Sequence, residues 1–208
     1  GTPIQPEAQV GDMRFIDANN DGQINDEDRV YCGSPFPDFD YGLRLDGNWK
    51  IFDFSLFLQG TYGNKIYNGY RTYTENLKYN VNYSSNLLNS YTFNKNSDIP
   101  RLSYFDPNGN NTDNTDRFLE NGSYLRLKVI TLGLNLKDNW LNNVPLVEKA
   151  RFYLGARNLF TLTPYSGYNS DIGGGGYNAW RGSLIARGID WSVYPTARSY
   201  HAGIQISF

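Results

Sequence analysis

The chain has 208 residues, with 19 Lys and Arg against 21 Asp and Glu and a formal net charge of -2, so no basic surface suggests nucleic acid. A single Cys excludes an internal disulfide, and nucleophile–His catalysis would have to run through one strand-borne residue, His201. Aromatic residues reach 16%, including 17 Tyr, and together with 21 Gly and abundant Asn they indicate β-structure with long polar loops.

The N-terminal stretch GTPIQPEAQVGD has neither a basic n-region nor an apolar h-region, so it is not a signal peptide and reads as the interior of a longer chain. Next comes DANNDGQINDED, residues 17–28, with oxygen-bearing side chains in the order in which an EF-hand-type loop wraps calcium. Asp17, Asn19 and Asp21 would supply the first ligands, and Gly22 permits the sharp turn. The Gln23 carbonyl follows, Asn25 acts directly or through water, and Asp28 closes the shell where that motif has a bidentate Glu. Three carboxylates on an exposed loop predict weak calcium affinity, with Kd on the order of 10⁻⁴ to 10⁻³ M. The plain alternative is an Asx- and Gly-rich turn without metal.

Strand patterning begins at Asp40. In DYGLRLDGNWK, Tyr41, Leu43, Leu45 and Trp49 alternate with polar residues or Gly, and FDFSLFLQGTY repeats the pattern from Phe52 to Tyr62. A tight turn at Lys50–Ile51 makes the pair a hairpin. The third strand, YLRLKVITLGLNL, runs from Tyr124 to Leu136 and changes phase near Val129, which predicts a bulge. ARFYLGARNLFTL, residues 150–162, and SYHAGIQISF, residues 199–208, complete five strands.

Connections after the first and third strands are short, whereas residues 63–123 and 163–198 form long polar loops. Short turns on one rim and long loops on the other describe an outer-membrane β-barrel, which hydropathy alone does not detect. Trp49, Phe52, Tyr62, Tyr124, Tyr200 and Phe208 lie near strand ends, where interfacial aromatic girdles form. Arg44, Arg126, Lys128, Arg151 and Arg157 lie opposite the apolar rows and are expected to face the lumen, because near the bilayer midplane a lipid-facing Arg or Lys costs ~2–4 kcal/mol. A soluble β-sandwich would alternate in the same way, but it has no use for a 61-residue connection.

The long stretch GDMRFIDANNDGQINDEDRVYCGSPFPDFDYGLRLDGNWKIFDFSLFLQGTYGNKIYN resembles the region near the end of SusC/RagA-type TonB-dependent transporters of Bacteroidota. The similarity runs through Gly33, Pro35, Pro37, Tyr41, Gly42, Phe52, Asp53, Gln59, Gly63 and Asn64. SYLRLKVITLGLNL, RFYLGARNLFTLTPYSGYNSD and GIDWSVYPTARSYHAGIQISF are similar to that family's last three strands. The resemblance implies an all-β, antiparallel transmembrane barrel of about 22 strands with a plugged lumen, this chain supplying the last five. Residues 1–38 would be an extracellular loop holding the calcium site, and residues 39–208 the C-terminal strands with their extracellular loops.

The same resemblance implies a multi-pass protein of the outer membrane, not an enzyme, that imports oligosaccharides or peptides. A SusD-like surface lipoprotein would close over its mouth, and TonB would act through segments outside this chain. Within the first long loop, Leu77, Val81, Leu87, Leu88 and Tyr91 fall at near-helical spacing, which fits a loop helix packing on a partner or on neighbouring loops, with plain self-packing of the loop as the alternative. In the second, Tyr177, Trp180 and Arg181 after a four-glycine run are weak substrate-binding candidates, by ring stacking and guanidinium pairing. A rival reading is a secreted, calcium-stabilised carbohydrate-binding or adhesion module.

Overall fold

The computed structural model describes residues 3–112, 115–136, 147–172 and 187–208. In chain order the elements are β1 (Phe39–Trp49), β2 (Phe52–Tyr62), β3 (Lys65–Asn68), α1 (Gly69–Thr74), β4 (Leu119–Asn121), β5 (Tyr124–Leu136), β6 (Lys149–Arg157), β7 (Thr161–Leu162), β8 (Ile189–Asp190) and β9 (Ser199–Ser207). They fall into two compact units. No helix among the described residues is long and apolar enough to cross a membrane.

One unit comprises residues 34–65, 121–136, 147–172 and 193–208 and contains the main antiparallel sheet, in the order β1-β2-β5-β6-β9. Residues directly opposite each other in such a ladder share a face, so the register shows which side chains form each surface. Leu45, Leu56, Ile130 and Ala156 line up across four strands, and Phe54, Leu132, Leu154 and Ala202 do so one step along. That face is apolar and open: Leu132 is 56%, Leu154 66% and Ile204 62% exposed. The opposite face carries Arg44, Asp46, Asp53, Ser55, Gln59, Arg126, Arg151 and Gln205.

The phase change in β5 is a bulge. Val129 pairs with Phe57 and Leu127 with Leu58, so Lys128 is the extra residue. The insertion returns Leu125 and Leu127 to the face already held by Ile130, Leu132 and Leu134, where an unbroken ladder would have turned them inward. Aromatic pairs mark both ends of the first hairpin, Phe39 against Tyr62 at 5.3 Å and Trp49 against Phe52 at 6.4 Å between ring centroids. Between the strands, Lys50 takes a left-handed φ of 55°, the backbone that a two-residue hairpin turn demands.

The fourth predicted strand is not continuous. It breaks at Asn158, which has a φ of 51°, and its remainder pairs with β5 as β7. Leu127 N–H donates to the Phe160 carbonyl and Leu159 N–H to the Leu127 carbonyl across the break, so the detour keeps its backbone satisfied.

The other unit contains residues 3–33, most of 66–120 and 187–192. Its small sheet has the order β4-β3-β8 and packs around Ile66, Leu87 and Phe118, all nearly inaccessible. Such a modest apolar core is supplemented by charge. Buried Glu75 accepts from Arg71 Nε at 2.8 Å and from Arg117 Nη2 at 2.9 Å, and Arg71 also reaches Glu120 at 2.9 Å. Burial pulls the Arg117 pKa below its ordinary value, whereas the carboxylates around Arg71 outweigh its burial and raise it. The helix predicted over Leu77–Tyr91 does not form. Helix α1 ends at Thr74, and only a 3₁₀ turn, Ser85–Asn89, follows. Asn and Ser bond to local backbone there and compete with a longer helix, as in the Ser84 cap on Asn86 N–H.

Candidate functional site

The Asp17–Asp28 loop is built from side-chain-to-backbone turns. Asp17 carboxylate oxygens accept from Asp21 N–H at 3.2 Å and Gly22 N–H at 2.9 Å, and Asp21 accepts from Gln23 N–H at 2.8 Å. Gly22 has a φ of 84°, where a Cβ would be strained. Asn25 caps the 3₁₀ turn Asp26–Asp28, and Asp28 accepts from Asn25 and Ala18 N–H, each at 2.8 Å. The Asn25 N–H, first among these donors, holds the Asp28 carboxyl below the usual carboxylate range. Side chains of Asn19 and Asn25 both approach the Asp21 carboxylate, at 3.3 and 3.4 Å. Among the described residues no three Asp, Glu, His or Cys side chains gather as a metal-holding group. The loop therefore presents oxygens on one turn while most of them bond to its own backbone.

Several charges on the polar face of the main sheet are paired. Arg151 Nε donates to Asp53 Oδ1 at 2.9 Å, and Arg44 Nε to Asp46 Oδ2 at 2.7 Å. A side chain at Gly133 would collide with the Asp53 carboxylate, so the absence of one there makes room for the Asp53–Arg151 pair.

Arg126 is the most connected residue of that face and is only 4% exposed. Its Nε donates to Thr161 at 2.9 Å, Nη1 to Asp171 at 3.2 Å, and Nη2 to Asn169 at 2.8 Å. Beside it lies a cavity of about 300 Å³, bordered by Asn158, Ser170, Thr196 and Arg198 among others. Sequence patterning placed Arg126 on the polar face but did not signal this cavity, because its walls come from three separate stretches of chain. Tyr177, Trp180 and Arg181 lie outside the described residues.

No protein-family model matches the chain. The TonB-dependent receptor P3 of Formosa agariphila is 31% identical over 99% of this chain, and SusC of Bacteroides thetaiotaomicron is 26% identical over 93%. The chain is homologous to SusC-type TonB-dependent receptors. It spans 20% of the length of the first relative and 17% of the second. A solved RagAB peptide transporter superimposes with a TM-score of 0.70 at 28% identity, covering 90% of this chain and 19% of that one. The same importer in an open-open state gives 0.63 at 29% identity over 83% of this chain and 17% of that one. The all-β antiparallel architecture is thus that of a SusC-type barrel, and the homologues are named as receptors and transporters, not enzymes.

Proposed function

We propose that this chain is the C-terminal barrel segment, the last five of about 22 strands, of a TonB-dependent transporter that imports oligosaccharides or peptides across the outer membrane. The observation that carries this reading is the two-sided sheet. Its apolar face runs across all five strands and stays open, while the opposite face carries the Arg44–Asp46 and Arg151–Asp53 ion pairs. Lipid satisfies the first and a wet, plugged lumen the second. A secreted soluble module would have to cover that apolar face, which the rival reading does not explain. A SusD-like lipoprotein closing over the mouth and TonB acting through other segments complete the scheme, and the homology to SusC and RagAB supports both.

Fractionation and uptake test the proposal together. The full-length protein is expected in the outer membrane, extractable only with detergent, and its deletion is expected to abolish growth on one class of oligosaccharide or peptide. Recovery as a detergent-free soluble protein would refute the reading.

Calcium belongs to the same proposal. The oxygen-only donor set Asp17, Asn19, Asp21, Gln23, Asn25 and Asp28 suits a hard cation. When bound, the ion would staple a backbone detour that has little core of its own.

A further inference from the structure

The apolar face of the main sheet is hollowed near its short-turn end. Trp49, Phe52, Leu134, Phe152 and Ile204 make one row across the five strands, all of them large. The neighbouring row begins at Gly47 and ends at Ala202, so both of its ends are low. A side chain at Gly47 would collide with the Phe54 ring, and its absence lets that ring lie across onto β1. Here lies a cavity of about 1050 Å³, walled almost wholly by apolar groups from all five strands. That volume is at the top of the range of small-molecule sites. Asp53 at its border is paired with Arg151 on the opposite face. A positive charge stands at the rim. Lys50 Nζ lies 5.0 Å from the centroid of the Trp49 ring, which lines the cavity, and Lys50 takes part in none of the ion pairs among the described residues.

We propose that this cavity holds an acyl chain of an anionic phospholipid, with the lipid's phosphate against the Lys50 ammonium. The proposal rests on the reading of this face as lipid-facing and adds that a particular lipid is selected at one place on it. Three observations select the occupant. A nearly all-apolar lining suits a hydrocarbon chain and gives a sugar or a peptide backbone no hydrogen-bond partner. The cation stands at one end of the cavity and not within it, which matches an amphiphile that carries its charge at its head. Trp49 and Lys50 meet beside the hairpin turn, the level at which aromatic rings and basic side chains reach lipid headgroups.

The test uses the full-length protein extracted in detergent and supplied with equal amounts of dioleoyl-phosphatidylglycerol and dioleoyl-phosphatidylethanolamine, with the retained lipid measured by native mass spectrometry. Phosphatidylglycerol is expected to be retained about fivefold more than phosphatidylethanolamine. Lys50→Gln is expected to erase that preference and Lys50→Arg to keep it. Ala202→Phe, which adds a ring to the cavity, is expected to remove retention of both lipids. Leu43→Phe, on the same face but outside the cavity, is expected to change neither. Trypsin resistance of each variant in detergent confirms that it is folded. Equal retention of the two lipids, no retained lipid, or a preference that survives Lys50→Gln would overturn the proposal. So would retention that Ala202→Phe leaves intact or that Leu43→Phe lowers equally, the mark of an unselective lipid annulus. Those failures leave the transport reading standing if the protein still fractionates with the outer membrane.

Discussion

Asp12 shows how much a single side chain can organise where apolar core is scarce. Only 1% of its side chain is exposed, and it accepts from Arg101 Nη2 at 3.0 Å, Asn110 Nδ2 at 2.7 Å and Gln9 N–H at 2.8 Å. Burial pushes its pKa up, but the bonds from Asn110 and Arg101 win and leave it below the ordinary value of 3.8. A depressed folded pKa contributes stability that is complete above the unfolded value and is lost as pH falls through the folded one. The N-terminal segment is therefore expected to become protease-sensitive only below about pH 4. Asp12→Ala is expected to expose it at neutral pH, at a cost of about 2–4 kcal/mol, since Arg101 is left partly buried without a counter-charge. Limited proteolysis of the full-length protein across pH reads both effects. At the calcium loop, titration of the full-length protein is expected to give heat with Kd on the order of 10⁻⁴ to 10⁻³ M, lost in Asp21→Ala. No heat from the unaltered protein would remove the ion from the proposal.

At the scale of elements, the bulge at Lys128 and the break at Asn158 keep one face uniformly apolar while the chain bends. Leu56 sits mid-strand between Leu45 and Ile130 on that face, and Ser55 sits opposite Asp46 and Thr131 on the other. Leu56→Arg is expected to destabilise the folded barrel by ~2–4 kcal/mol, whereas Ser55→Arg is expected to cost much less. Urea unfolding in lipid vesicles measures the difference, and equal costs would contradict the assignment of faces. The five strands, the hairpin turn and the bulge were legible because alternation and its interruption are local properties of sequence. The missing helix after Thr74 was not, since near-helical spacing of a few apolar residues competes with Asn- and Ser-rich turns whose outcome depends on packing.

Among the described residues, the main sheet has two unpaired outer strands, β1 and β9. Open edges beside an apolar face invite association, and a membrane barrel removes them by closure. The 208-residue segment expressed alone is expected to sediment from detergent-free buffer, while the full-length protein extracted in detergent remains dispersed. A monodisperse, soluble segment would show that the apolar face can be covered from within.

Composition and alternation in the sequence determined the all-β class, the two faces of each strand, the long and short connections and the oxygen-rich loop, because each depends on near neighbours in the chain. Only the tertiary structure decided that Asn158, Ser170 and Arg198 border one cavity with Arg126, and that Glu75 is held between Arg71 and Arg117. Those groups meet through long-range closure of loops. No periodicity records which distant polar atoms will be buried together, or which will be left without a partner.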